Sequence, residues 1–199
     1  MQIDVLRHGE CEGGRIFRGH IDVALTATGR AQMREGVAQL AGPWQRIVSS
    51  PLVRCRSFAE TLAAQTGVPV EIEPAIKEVG YGQWEGQSVE AVWREQQALC
   101  LAWSRAPDKT GPPGGEPFHD FRARVLTALA QSAAIPGADR ILWITHGGVI
   151  KLLLSMARQM PPAGMMQLTV GYGFAASVQT DGDNLRVLYP QESEYVYQP

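Results

Sequence analysis

The sequence predicts an α/β fold: a three-layer α/β/α sandwich on a mainly parallel, mixed sheet of about six strands. Three observations predict it. Short apolar runs alternate with stretches of helical periodicity along most of the chain, the order of βα units around a parallel sheet. The last two apolar runs flank Asp181-Gly182-Asp183-Asn184 and read as two strands around a hairpin turn. Three strand ends carry Arg7-His8-Gly9, Ser49-Ser50-Pro51 and Thr145-His146-Gly147-Gly148. In sheets of this kind, sites lie beyond the carboxyl ends of the strands.

The elements follow in order. Ile3 to Leu6 is a short apolar run and the first strand. Residues 9 to 25 are rich in glycine and charge and form a loop. In TATGRAQMREGVAQLAG, Met33, Val37, Leu40 and Ala41 recur at helical spacing behind Thr26 or Thr28 as cap. RIVSS is the second strand. Ser50-Pro51 reads as N-cap and first helical position, so LVRCRSFAETLAAQTG is a helix closed by Gly67. VPVEIEP is the third strand, and residues 74 to 87 form a glycine-rich loop. Residues 88 to 104 read as one helix, apolar at Val89, Val92, Trp93, Leu99 and Trp103. APDKTGPPGGEP is a loop, residues 118 to 134 a helix, RILWITH a buried strand and GGVIKLLLSMARQM a helix. At 199 residues the chain reads as one domain over 1–199, with a helical insertion around 80–135 bordering the site.

Composition narrows the function. Apolar residues make up 45% of the chain, enough to bury a full core. A net charge of −2 supplies no global basic field, so nucleic acid and membrane surfaces are not expected partners, and an anion site has to be local. Three cysteines without framework spacing, no N-terminal signal run and no apolar stretch of about 20 residues point to a cytoplasmic protein. Monomer and homodimer are both compatible with the sequence.

Of four histidines, His8 and His146 each follow an apolar strand and precede glycine. A lone histidine there is ordinarily a polar strand end bonded to nearby backbone; the pair points to chemistry. Arg54 lies in the first turns of a helix, where a cation opposes the helix dipole by about 0.3–1 kcal/mol. Pointing into solvent, it is unremarked; beside a bound anion, it has a use. The helix opening at Gly147 offers a second anion-binding N-terminus. Glu78, in KEVGYGQWEG, is either an exposed loop glutamate or a proton donor to a leaving oxygen. A carboxyl packed near a bound dianion holds a proton more readily. Rival motifs fail. No G-x-S-x-G or phosphate-binding glycine loop occurs, and Phe17 and Ala106 stand where a cysteine phosphatase places its arginine. HGEC lacks a second ligand cluster, so neither metal nor other cofactor is expected.

Together LRHGE, SSPLVRCRSFAETL, EVGYGQWEG and THGG resemble, in order and spacing, the histidine phosphatase superfamily, also called phosphoglycerate mutase-like. The resemblance implies that fold and a metal-independent phosphomonoesterase acting through a phosphohistidine. It makes His8 the nucleophile and Glu78 the proton donor. Arg7, Arg54, His146 and Gly147 then bind the phosphoryl group beside His8. Two guanidinium groups and an imidazolium neutralise the phosphoryl charge without Mg²⁺. GECEGGRIFRGHIDVALTATGRAQM and GGEPFHDFRARV resemble the α-ribazole phosphatase branch, which dephosphorylates α-ribazole 5′-phosphate during cobalamin assembly. Cys11 and Gly14 replace the Thr and Asn of many relatives, which argues against a mutase, as does the short chain. Mutase activity, hydrolysis of another small phosphomonoester and a non-catalytic phosphate-binding module remain as alternatives. Arg15, Arg18 and His20 are candidates to border the substrate, against a solvated basic loop. Trp84 belongs with Trp93, Trp103, Phe118 and Phe121 to an aromatic lid or to a local core.

Overall fold

A computed structural model describes residues 1–181 and 184–189. Its sheet consists of β1 (Gln2–Arg7), β2 (Arg46–Ser49), β3 (Val70–Ile72), β4 (Arg140–Thr145), β5 (Ala175–Asp181) and β6 (Asn184–Tyr189), in the order β3-β2-β4-β1-β5-β6. Pairs β1–β4, β2–β4 and β2–β3 are parallel, whereas β1–β5 and β5–β6 are antiparallel. The expected mixed, six-stranded α/β sheet is present; Gly182 and Asp183 of the proposed turn lie outside the described residues.

The period-two alternation of the strands sorts the core into two layers. Ile3, Val5, Ile141 and Trp143 join Phe121, Val125, Val149, Ile150 and Leu153 from α5 (Phe118–Ala133) and α6 (Gly147–Ala157). Leu6, Leu142 and Ile144 join Met33, Cys55, Phe58 and Leu62 from α1 (Ala27–Ala38) and α2 (Val53–Thr66). A third cluster of Phe17, Trp84, Val92 and Cys100 lies under α3 (Val89–Glu95) and α4 (Gln97–Arg105). No described helix is long and apolar enough to cross a membrane.

Two helix expectations are corrected. Residues 88 to 104 form two helices, broken at non-helical Gln96, whose Oε1 accepts the indole N–H of Trp84 at 2.9 Å. The second correction concerns the start of α2. It begins at Val53, because His146 Nε2 engages the Ser50 hydroxyl at 2.7 Å, and Asp22 from the first loop accepts the Val53 N–H at 2.7 Å instead. At the start of α1, Thr26 is the cap, accepting from Gly29 N–H at 2.9 Å.

Asp4 breaks the apolar run of β1. Fully buried, its carboxylate accepts from Trp44 Nε1 at 2.6 Å, Ser177 Oγ at 2.5 Å and the Arg140 guanidinium at 2.8 Å. The network ties β1 to its two neighbours, β4 and β5, at the end of the sheet away from His8. Asp4→Ala leaves Arg140 with the Ala41 carbonyl but without its carboxylate, and is expected to lower unfolding free energy by about 3–5 kcal/mol. Urea denaturation measures the loss; a change below about 1 kcal/mol contradicts this account of the network.

Candidate active site

Sheet register brings three strand ends together. Arg7 of β1 pairs with Thr145 of β4, so the next residues, His8 and His146, stand side by side. Their ring centroids are 5.2 Å apart at an interplanar angle of 62°. Strand β2 flanks β4 on its other side with Ser49 opposite Ile144, which carries Ser50 to the His146 ring.

One hydrogen bond decides the state of His8. Its Nδ1 lies 2.8 Å from Gly9 O. A carbonyl only accepts, so Nδ1 carries the proton and the lone pair belongs to Nε2. Gly9 permits this turn by its lack of a side chain: a Cβ there would lie 2.0 Å from Gly29 O. Burial, then the charges of Arg7 and Arg54, hold His8 well below the usual imidazole range. Burial, then Arg54 and the neighbouring His8, do the same for His146. Both rings are therefore neutral at pH 7. Burial likewise pushes the Cys11 and Cys55 thiols up, so neither is an activated nucleophile.

A cavity of about 530 Å³ opens over His8 and is lined by Arg7, Arg18, Arg54, Glu78 and Tyr172 among others. Backbone carbonyls hold its guanidinium groups. Arg54 donates to Ile21 O at 2.7 Å and Gly19 O at 2.8 Å. Arg18 donates to Cys11 O at 3.2 Å, Glu12 O at 2.9 Å and Gly14 O. Arg7 donates to Val170 O and lies over the Tyr172 ring, 4.5 Å from its centroid. Among the described residues none of these three forms an ion pair, and each keeps an Nε without a hydrogen-bond partner. Carbonyl acceptors satisfy donors without cancelling charge, so the cavity is a site for an anion.

Glu78 faces this charge from the start of α6. Its carboxylate accepts Val79 N–H at 3.0 Å and Gly148 N–H at 3.1 and 3.3 Å. A Cβ at Gly148 would lie 2.3 Å from Glu78 Oε1, so only glycine admits the approach.

The structure thus brings Arg7, His8, Arg54 and Glu78 together around one cavity, with Arg15 and Arg18 also on its wall. His146 abuts His8 from within the protein, and Gly147 lies behind Arg7, where a Cβ would sit 3.3 Å from Arg7 Nε. Two expected border residues are corrected. His20 is absent from the wall, and its Nε2 donates to the Glu78 carbonyl at 2.8 Å. Trp84 is fully buried against Phe17 and Trp103 because its indole completes the third core cluster. The wall also contains Phe17, Tyr81 and Tyr172, which periodicity does not mark; the only trace of Tyr172 is its setting between Gly171 and Gly173. Ser50 carries a cap signal in sequence and serves His146 instead.

Comparison with known proteins gives the chain its family. The model of the histidine phosphatase superfamily (branch 1) matches residues 3–192. An adenosylcobalamin/α-ribazole phosphatase of Salmonella typhimurium is 28% identical over 176 residues, covering 87% of this chain and 87% of its own. A glucosyl-3-phosphoglycerate phosphatase of Mycobacterium tuberculosis is 31% identical over 190 residues, covering 89% of this chain and 84% of its own. The crystal structure of the α-ribazole phosphatase from Shigella flexneri superposes with a TM-score of 0.79 at 25% identity, covering 94% of each chain.

The neutral imidazoles carry a pH signature. Their folded pKa values lie below the unfolded 6.5, so below pH 6.5 the unfolded chain binds more protons than the folded one. Stability is expected to fall between pH 7 and pH 5, by up to about 1.4 kcal/mol per pH unit for each ring. Replacing His8 by Asn is expected to flatten part of that slope. Denaturation midpoints at the two pH values test it; identical slopes for the two proteins contradict a neutral His8.

Proposed function

Because the chain belongs to the histidine phosphatase superfamily (branch 1) and is a phosphatase, we propose that it hydrolyses α-ribazole 5′-phosphate through a phosphohistidine on His8. The observation that carries the chemistry is the His8 ring, with Nδ1 locked on Gly9 O, beneath guanidinium groups that form no ion pair among the described residues.

In this reading Arg7, Arg18 and Arg54 hold the phosphoryl oxygens, and the Nε2 lone pair of His8 attacks phosphorus in line with the ester oxygen. The P–N bond forms as the P–O bond breaks, and the departing alkoxide takes the proton of the Glu78 carboxyl. Glu78, now a carboxylate, accepts a proton from water. The hydroxide attacks the phosphohistidine, the P–N bond breaks, and orthophosphate leaves with His8 neutral again. His146, neutral in the free pocket, gains a reason to protonate once a dianion lies beside it, and then adds a fourth positive group. Positioning and charge do the work, and no step calls for a metal.

The substrate assignment rests on the cavity wall. Phe17, Tyr81 and Tyr172 bring aromatic rings to the wall, which suits a flat, apolar base carried by the leaving alcohol. The names of the Salmonella and Shigella relatives support the same choice. Residues 80–135 then act as the insertion that walls the leaving-group side, through Tyr81 and Val89, in an enzyme working in the cytoplasm. A second substrate has its own support. The 31% identity to the glucosyl-3-phosphoglycerate phosphatase is the higher of the two, and exposed Arg15 at the wall would meet a sugar-acid carboxylate by exchanging its exposed pair with Glu90, 3.1 Å in the free protein.

Steady-state kinetics with EDTA present separate the readings. The kcat/KM for α-ribazole 5′-phosphate is expected to exceed those for glucosyl-3-phosphoglycerate and 3-phosphoglycerate by about 100-fold. A preference for glucosyl-3-phosphoglycerate, or isomerised rather than hydrolysed product, overturns the assignment. His8→Ala is expected to lower kcat by at least about 10⁴-fold with the circular dichroism spectrum unchanged. A folded variant with wild-type turnover removes His8 from the mechanism.

A further inference from the structure

We infer that Arg124, locked to Glu116 and assisted by His20, is the positioning residue that sets Glu78 for proton transfer. The inference rests on the reading of Glu78 as the acid. It goes beyond that reading by assigning a second layer of residues to control of the leaving group.

The carbonyls of Ala75, Lys77 and Glu78 and both polar backbone groups of Gly80 are tied to this cluster. One Arg124 nitrogen, Nη1, donates to Ala75 O at 2.6 Å and Lys77 O at 2.7 Å. Nη2 donates to Glu78 O at 2.9 Å. His20 Nε2 donates to the same Glu78 oxygen at 2.8 Å. On its other edge, Arg124 grips Glu116 in a bidentate pair, Nε to Oε1 at 2.6 Å and Nη2 to Oε2 at 2.8 Å. Glu116 in turn accepts Gly80 N–H at 3.2 Å, and its own N–H donates to Gly80 O at 2.8 Å. Residues 75–80 are thus bracketed on both sides of Glu78 by one ion pair rooted at the start of α5.

The chemistry of guanidinium explains why arginine stands here. Its planar fork delivers five bonds in fixed directions, which an ammonium cannot reproduce. Phe121 supports the plane, with the guanidinium carbon 5.0 Å from its ring centroid. Burial alone would push the Glu116 carboxyl up, yet hydrogen bonds and charge from Arg124 hold it below the usual carboxylate range, so the pair is ionised at neutral pH. None of these three side chains lines the cavity, so they act through Glu78 and not on the phosphoryl group. A misplacement of the order of 1 Å at a reacting group costs about 10²-fold in rate.

Leaving-group dependence isolates this role. An alkyl phosphomonoester needs a proton on its departing oxygen, whereas p-nitrophenolate leaves without one. The readout is the ratio of kcat/KM for an alkyl phosphomonoester to that for p-nitrophenyl phosphate, each variant checked for folding by circular dichroism and thermal melting. Glu78→Gln is expected to lower the ratio by about 100-fold or more. Arg124→Gln is expected to lower it by about tenfold or more, Arg124→Lys to restore little of it, and His20→Ala to shift it in the same direction by less. If folded Arg124→Gln loses both activities equally while Glu78→Gln lowers the ratio, Arg124 is only a structural residue and the inference falls. If Arg124→Gln does not fold, Glu116→Gln and the exposed His20→Ala decide by the same ratio, and an unchanged ratio in both overturns the inference. An unchanged ratio in Glu78→Gln itself removes Glu78 as the acid and takes the positioning role with it.

Discussion

Positive charge buried against carbonyl oxygens, in guanidinium groups that form no ion pair among the described residues, is the constraint around which the rest of the pocket is organised. Arg7, Arg18 and Arg54 satisfy donors on backbone oxygens of residues 11 to 21 and of Val170. That choice of acceptor has two consequences. The groups keep their full attraction for an incoming dianion, and their charge adds to burial in keeping both histidines unprotonated until it arrives. A carboxylate in the same place would have stabilised the free fold and weakened the site. The arrangement therefore exchanges some stability of the unliganded protein for binding energy at the phosphoryl group.

The parallel part of the sheet converts this constraint into geometry. Strands β1, β4 and β2 lie side by side and point the same way, so residues far apart in the chain end on one edge. The nucleophile candidate, its neighbouring histidine and the serine that engages the latter all occupy the first position past a strand. Loops then supply what strands cannot. The 9–25 segment wraps its carbonyls around Arg18 and Arg54, and the 74–80 segment carries Glu78 to the start of α6. Burying Asp4 at the opposite end anchors the same strands, so the precision at His8 is paid for by a polar network at the other end of β1.

Much of this is legible in the chain itself, and the illegible remainder has a common physical origin. Strand and helix periodicity marks all six strands and most helices because side-chain period depends only on local backbone. His8 and His146 stand out as charge-bearing residues where an apolar strand stops. Arg54 and Glu78 become meaningful through the family motif. Ser50, His20, Trp84 and Gln96 go the other way. Each makes its decisive hydrogen bond or packing contact with a residue remote in sequence or across a loop: Ser50 with His146, His20 with Glu78, Trp84 with Phe17 and with Gln96. Local rules read Ser50 as a cap and Gln96 as helix interior, and leave His20 between solvated loop and substrate border and Trp84 between lid and core; tertiary contacts decide each. Tyr172 is the extreme case, since its partner, Arg7, lies at the opposite end of the chain.

The central claim is that the tautomer fixed by Gly9 makes Nε2 of His8 the atom that takes the phosphoryl group. Rapid-quench turnover with a phosphomonoester, trapped in alkali and followed by mass spectrometry and ³¹P NMR of the isolated peptide, addresses it most directly. The account predicts transient phosphate on the His8 peptide, bonded at Nε2. Phosphate at Nδ1, on His146 or on another residue contradicts it. So does turnover with no phosphoenzyme at a time resolution shorter than one catalytic cycle.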